Sequence, residues 1–476
     1  MAPISTAHTM LAQEAGKFMK KRILELTAVT ITALALVPLF ARPITVQAAA
    51  QDQKPSYTIP EYNAFQAANA EKDPAAKIKL LDDFVAKYPS STLLQYVYQL
   101  YYQAYMQTKN YPKTIEYADK LVAMGDKVDP AVVLGALQAR VQAFSGLQLN
   151  PSAPDANDQL AKERDAALQG AKLLDAFPKP AAAKMSDDDF AKQKKPGIAF
   201  FDSSAGAAAL QMKDYPGAVN AFKAALANKP DDAVSAYRLG LAYLAMAPPQ
   251  TLDGFWALAR AINLKVPDGD KVKEYLKQKL LAYEQPGCDS QVDAQLSELL
   301  QLAANSPDRP SSYTIPSADD LNKIRQASNI ITVISDLQGG GDKSKMTWLA
   351  ICGAEFPEVV GKVIDEQKTD ASIDFMVYTG ATPEDMQAGT MPNMDVKVWT
   401  GAHPAEPAPA GGTQAAPIPP QPDVVRLSKD DGIRFSGTLV SFDPSPFLLH
   451  WDQVKVDPTV IPEAAGKGKG VPKKKG

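Results

Sequence analysis

The chain has 476 residues, enough for two or three domains, and its 45% apolar and 22% charged content is usual for globular proteins. Its formal charge is −4, although the last eleven residues hold five lysines and no acid, so the rest of the chain is clearly acidic. This balance argues against a nucleic-acid partner, which is held by clustered lysine and arginine. Two cysteines, Cys288 and Cys352, are too few for a disulfide scaffold or a zinc site. They can pair in an oxidising compartment, but two buried free thiols are the favoured interpretation.

The first 48 residues read as a targeting signal. Lys20-Lys21-Arg22 precedes an apolar run, Leu26–Phe40, and small residues spaced for cleavage follow at Val46–Ala50. A basic start, an apolar core and a small-x-small end define a secretory signal peptide. An uncleaved membrane anchor is the alternative, but the apolar run is shorter than the roughly 20 residues that a span needs. We therefore expect a periplasmic or secreted protein with no stable membrane span after cleavage near residue 49 or 51.

The clearest internal pattern is a helix–turn–helix unit over residues 199–232. In its first helix the small residue Gly206 predicts a close approach of two helices, and Asp214-Tyr215-Pro216 predicts the turn. The second helix carries Ala218, Phe222 and Ala225 and is stopped by Pro230. The next unit begins at Ala233 and places Leu239, Gly240 and Tyr243 at the corresponding offsets.

These offsets resemble the roughly 34-residue tetratricopeptide repeat. The resemblance implies a right-handed superhelix of paired helices over residues 57–304, whose first helices line a concave groove for a peptide or protein partner. The first two units depart from the pattern, because Phe65 and Tyr102 stand at the glycine position, and Lys77 and Thr114 at the alanine position. A tyrosine stripe on one helix, made of residues 98, 101, 102 and 105, is interpreted as packing between units.

The resemblance also implies which positions of each first helix face the groove. The candidate binding residues are Tyr62, Gln66, Asn69, Tyr96, Gln99, Gln103, Gln107, Ser203, Gln211 and Tyr237. No lysine or arginine is among them, and a carboxylate is best held by charge-assisted hydrogen bonds. We therefore expect a neutral, partly apolar internal segment as ligand, rather than an acidic chain terminus. The alternative is that the glutamines are merely solvated.

The C-terminal part changes from helical to alternating periodicity. A helix over Ala318–Gln338 and Gly339–Gly341 are interpreted as a linker helix and a flexible hinge within residues 305–343. Five strands are predicted within residues 344–457, and residues 348–352 are a possible start of the first. They are Val359–Glu366, Ile373–Tyr378, Met394–Trp399, Gly432–Phe442 and Phe447–Val456. A proline-rich loop, residues 402–423, and a lysine-rich tail, residues 458–476, are expected to be disordered.

The stretches Gly361-Lys362-Val363 and Phe435–Ser441 weakly resemble the five-stranded oligonucleotide/oligosaccharide-binding (OB) fold. An immunoglobulin-like sandwich is the alternative, but it usually needs about seven strands. The fold class predicted for the whole chain is therefore multidomain α + β. It comprises an N-terminal α-α superhelix followed by a small all-β, OB-like barrel.

Little in the sequence suggests catalysis. Of three histidines, only His450 is placed by regular structure, and neither a nucleophile elbow nor Cys/His metal spacing occurs. We expect no enzyme activity, no cofactor and no metal. The leading hypothesis is an envelope adaptor or scaffold that binds a protein or peptide in the groove. The alternative is a cell-wall glycan reader, in which Tyr378, Trp399 or Trp451 of the β domain stacks on sugar rings.

Overall fold

The computed structural model describes residues 57–181, 183–286, 288, 290–401 and 419–463. The chain divides into two compact units. The first holds the described residues up to Lys273 together with Leu302–Pro310, and the second holds Glu274–Gln301 and the described residues from Ser311 onward. The predicted signal peptide, residues 402–418 of the proline-rich loop and the tail from residue 464 lie outside the described residues. Within the described residues, no helix is both long and apolar enough to cross a membrane.

Five helix pairs build the first unit. Their bounds are α1 Ile59–Ala70, α2 Pro74–Lys87, α3 Leu94–Gln107, α4 Tyr111–Val122, α5 Pro130–Gly146, α6 Ala156–Asp175, α7 Asp187–Gln211, α8 Tyr215–Asn228, α9 Ala233–Ala245 and α10 Thr251–Asn263. Each helix packs on the next one in the chain, and α3, α5, α7 and α9 also contact one another in sequence. This is an array of helical repeats, as the sequence predicts. We call α1, α3, α5, α7 and α9 the first helices and their partners the second helices.

Local sequence signals fix where the helices start. Second helices α2, α4 and α8 begin with the same device, an N-cap side chain that accepts a backbone N–H, followed by proline in the first turn. The caps are Asp73, Asn110 and Asp214. A short Asp or Asn side chain accepts a hydrogen bond from a backbone N–H of the first turn, which has no partner within the helix. Proline is favoured in the same turn because it has no N–H that would be left without a partner. Ser186 caps α7, and that helix continues through Pro196 to Gln211.

The predicted close approach of helices at Gly206 is confirmed. A Cβ added at Gly206 would lie 2.8 Å from the ring of Phe222 on the paired helix α8. At Gly240, the equivalent position of the next pair, an added Cβ would lie 2.7 Å from Leu258 on α10. The large residue of each second helix therefore fills the space that the missing side chain leaves.

The second unit combines helices with a closed barrel. Helices α11 Gly269–Glu284 and α12 Ser290–Asn305 straddle the division of the chain; α13 Ala318–Ala327, α14 Ile330–Gly339 and α15 Gly341–Ile351 follow within the second unit. The strands are β1 Glu355–Lys368, β2 Ser372–Tyr378, β3 Met394–Trp399, β4 Gly432–Pro444 and β5 Phe447–Val456, with helix α16 Pro383–Ala388 after β2. The barrel closes in the order β1-β2-β3-β5-β4, with β3 and β5 parallel and the other pairs antiparallel. The predicted small OB-like barrel is confirmed, and all five strands lie where the sequence placed them.

The barrel interior is lined by alternate residues of each strand. Ile373, Phe375 and Val377 of β2 are buried, whereas the intervening side chains are only partly buried. The register between β4 and β5 shifts between Ser436 and Thr438, so the ladder is irregular at Gly437.

Residues 305–343 are not the predicted linker and hinge. Leu321, Val333 and Leu337 belong to the same buried cluster as the barrel interior, so α13 and α14 pack as part of the second unit. The predicted helix Ala318–Gln338 is broken in two, because Asn329 forms a new capping box for α14. Residues 348–351 are the last residues of α15 and Cys352 follows it, so this stretch is not the start of a strand. The Gly339–Gly341 run therefore turns the chain inside one unit and does not separate two.

The expectation of two free thiols is wrong. Cys288 and Cys352 form a disulfide within the second unit, with a Cα–Cα distance of 5.5 Å. Cys352 is 2% exposed and immediately follows α15, and Cys288 lies between α11 and α12. Because 64 positions separate the two residues, sequence spacing alone could not indicate that they meet.

Candidate functional site

The candidate groove residues lie on four of the five first helices, α1, α3, α7 and α9. Neighbouring first helices are held together by specific contacts. The ring of Tyr96 on α3 lies 6.0 Å from that of Phe65 on α1, and the hydroxyl of Ser235 on α9 donates to that of Ser203 on α7 at 2.9 Å. The first helices therefore form a continuous layer, and side chains on their common face are neighbours.

Most candidate side chains keep surface available to a ligand. Two of them, Gln107 and Gln211, are exposed. Seven are half-buried: Tyr62, Gln66, Asn69, Tyr96, Gln99, Gln103 and Ser203. In the described part of the chain, the amides of Gln66, Asn69 and Gln99 form no hydrogen bond to the protein. A planar amide can donate and accept at once, which is the pattern that an extended peptide backbone presents.

Tyr237 does not belong to this set. It is 4% exposed, and burial raises the pKa of its hydroxyl. The family spacing places it on the inner face, but the tight approach of α9 to its neighbours encloses it. Its role is therefore packing within the repeat array.

The tyrosine stripe packs between units, as interpreted from the sequence. Tyr101 and Tyr102 are buried, and the Tyr101 hydroxyl donates to Asp82 on α2 at 2.6 Å. Its ring stacks on Tyr117 of α4 at 4.0 Å, and Tyr105 stacks on the same ring at 5.6 Å. The stripe thus joins the first two helix pairs where the glycine of the pattern is absent.

Sequence reasoning missed a buried charge network beside the groove layer. Arg140 of α5 bonds to Asp119 of α4 at 2.7 Å and to Glu163 of α6, and both Arg140 and Glu163 are almost fully buried. Burial raises the pKa of Glu163, although Arg140 opposes this. Both partners of Arg140 lie on second helices, so this cation is used in packing. A lone arginine in an otherwise apolar helix was the available signal.

The aromatic residues proposed for glycan stacking differ in their surroundings. Trp451 is 3% exposed and packs edge-on against Phe356 and Phe435 inside the barrel, so its proposed role is wrong. The Tyr378 ring is covered by Gly389, where an added Cβ would lie 2.0 Å from it. Trp399 remains half-buried on the outer face of β3, with the Lys397 ammonium 5.2 Å from its ring centroid.

His450 lies on β5, as predicted, and bridges two carboxylates on the outer face of the barrel. Its Nδ1 is 3.1 Å from Asp395 Oδ2 on β3, and its Nε2 is 2.9 Å from Asp443 Oδ2 on β4. Partial burial lowers the pKa of His450, but the bonds to Asp443 and Asp395 outweigh it, and the pKa is raised overall. Both ring nitrogens are thus engaged in an ion-pair bridge across three strands. Among the residues that the structure describes, no group of three or more His, Cys, Asp or Glu side chains is arranged to hold a metal ion.

No protein-family description matches the sequence, and no curated protein matches it. Among solved structures, the chain is similar to the crystal structure of the C-terminal part of a TPR repeat-containing protein from Cytophaga hutchinsonii. That similarity covers 51% of this chain and 91% of the other at 17% identity, with a TM-score of 0.22. The repeat architecture described above therefore stands on the helix pairs themselves.

Proposed function

We propose that this protein is an exported scaffold that binds a segment of another protein along its first helices and performs no catalytic step. The observation that supports this most directly is the layer of contacting first helices, which carries the amides of Gln66, Asn69 and Gln99 that bond to no other described residue. Arrays of stacked helix pairs create extended concave binding surfaces, which suit partner segments better than small molecules.

The chemistry of the candidate residues favours a neutral, partly apolar segment. Glutamine and asparagine side chains match backbone N–H and C=O groups, while Tyr62 and Tyr96 offer contact area at low entropic cost. The buried arginine of α5 is already paired with two carboxylates, so it is not available to hold an acidic terminus. Binding of this kind depends little on salt, because few charges are neutralised.

An oxidising compartment is supported by two independent features. The Cys288–Cys352 disulfide belongs to the chemistry of secreted and periplasmic proteins, since cytosolic thiols are kept reduced. The basic and apolar leader of residues 1–48 has the composition of a secretory signal. Export to the bacterial envelope is accordingly part of this proposal.

The test replaces groove amides and measures partner capture from an envelope extract. Gln99→Ala with Gln103→Ala should weaken capture and leave the melting temperature unchanged. The matched control is Gln169→Ala with Asn220→Ala, which removes two exposed amides from second helices. Equal capture by both double variants would contradict the proposal, as would capture that collapses between low and physiological salt.

A second candidate function is glycan binding by the barrel, favoured by the partly exposed Trp399 on the outer face of β3. Peptidoglycan retention of the full chain tests it, with Trp399→Ala as the variant. Retention that is lost in Trp399→Ala but kept in the groove variant would support the glycan reading. Loss of a hydrolytic activity in His450→Ala, with the fold intact, would contradict the proposal that the protein performs no catalytic step.

A further inference from the structure

A short segment of the chain lies against the last helix pair of the first unit like a bound peptide. This segment, Ser306–Pro310, is hereafter the strap, and it follows α12 in sequence. The indole N–H of Trp256 donates to the carbonyl of Ser306 at 3.3 Å, and the Arg260 guanidinium donates to the carbonyl of Pro307 at 3.0 Å. Two consecutive strap carbonyls therefore accept hydrogen bonds from side chains of α10.

A side-chain contact adds selectivity to these backbone contacts. Arg309 of the strap donates from Nε to Asp253 of α10 at 2.8 Å, a charge-assisted bond between partly buried groups. Arg260 is itself oriented by a second bond, from its other nitrogen to the carbonyl of Pro230 at 2.7 Å. Its position is thus set by the repeat array and not by the strap alone.

The surface beneath the strap is formed by several elements of the first unit. It combines apolar side chains with charged groups at its edges, and it draws on three helices, α8, α9 and α10. We call it the strap surface and define it by Leu226, Leu239, Asp253, Trp256 and Arg260. None of these residues is among the groove candidates, so the strap surface is a separate site.

We infer that the strap surface is a second peptide-recognition surface and that the strap is its built-in competitor. The partner that fits is an extended segment with a proline whose carbonyl accepts from Arg260 and an arginine two residues later that pairs with Asp253. A tethered segment has an effective concentration of the order of millimolar, so a free partner with the same contacts is excluded until the strap is displaced. The inference goes beyond the proposed groove function and does not depend on it.

The experiment uses the full chain and a synthetic probe, the peptide acetyl-Ser-Pro-Asp-Arg-Pro-amide, titrated by calorimetry. Three proteins are compared, namely the wild type, a strap variant with Pro307→Gly and Arg309→Ala, and the strap variant with Asp253→Asn added. The milder Arg309→Ala single variant is included in case the double variant misfolds, and circular dichroism checks all of them. The control peptide has alanine in place of arginine.

The strap variant should bind the probe at least about tenfold more tightly than the wild type, because the tethered competitor is weakened. Adding Asp253→Asn, or using the control peptide, should remove that gain. A strap that only caps the helix array would lower the melting temperature of the variant without creating a binding site. Failure of the strap variants to bind the probe, or binding indifferent to Asp253→Asn, would overturn the inference, whatever happens at the groove.

Discussion

Removing the disulfide should destabilise the second unit by an amount that its loop length sets. Cys288 and Cys352 are 64 positions apart, and cross-linking residues that far apart removes loop-closure entropy worth about 4 kcal/mol from the unfolded chain. For a unit of roughly 200 residues, each kcal/mol shifts the melting temperature by about 2–4 °C. The double variant Cys288→Ala, Cys352→Ala should therefore melt about 8–16 °C lower in its second unit.

The assay is a thermal melt followed by circular dichroism and tryptophan fluorescence, with and without a phosphine reductant. The oxidised wild type should lose stability when reduced, whereas the double variant should melt at the same temperature in both conditions. Thiol titration of the unfolded, non-reduced protein should find no reactive sulfur in the wild type. Two titratable thiols per chain, or a wild-type melt that ignores the reductant, would refute the reasoning.

Three further perturbations have defined outcomes. Gly206→Ala should destabilise the first unit by about 1–3 kcal/mol, because the new Cβ overpacks the Phe222 ring, less the roughly 1 kcal/mol that alanine gains over glycine in a helix. The control Gly269→Ala has open space around it and should not lower the free energy of unfolding measured in urea. The two carboxylate partners of His450 raise its pKa, so the ion-pair bridge should stabilise the barrel fully below the ordinary histidine pKa. This stabilisation should be lost as pH rises through the raised pKa. The variant His450→Gln should show a flatter pH dependence of the urea unfolding midpoint between about pH 5.5 and 8.5. Gly340 has φ +66° and ψ −166°, a backbone conformation that is essentially restricted to glycine. Gly340→Ala should therefore lower the free energy of unfolding of the second unit by about 1–3 kcal/mol, whereas Gly339→Ala, at the end of α14, should not lower it.

The strands and the repeat pairs could be predicted from the sequence because their signals are local. Large apolar side chains at every second position, Ile373, Phe375 and Val377, indicate a strand that is buried on one face. Gly206 facing Phe222 indicates closely packed helices. Both patterns are complete within a few tens of residues. They can therefore be recognised without knowledge of the tertiary structure.

What the sequence could not provide depends on long-range contacts. The disulfide joins residues 64 positions apart, and α13 and α14 read as a linker because the barrel that buries them is formed by later residues. The sequence does not show which face of β5 carries Trp451, and the structure places its side chain inside the barrel. Tyr237 has a groove position by family spacing, yet packing of α9 encloses it.

The central claim is that the face of the first helices holds a partner segment, and site-specific photo-cross-linking in intact cells tests it most directly. A photoreactive amino acid is placed at position 99, one of the candidate groove positions of α3, and in a matched strain at position 169, an exposed position of α6. The account predicts a discrete adduct from position 99, identified by mass spectrometry as one protein segment, that is lost when Gln66 and Gln103 are replaced with alanine. No adduct from position 99, or the same adducts from both positions, would contradict it.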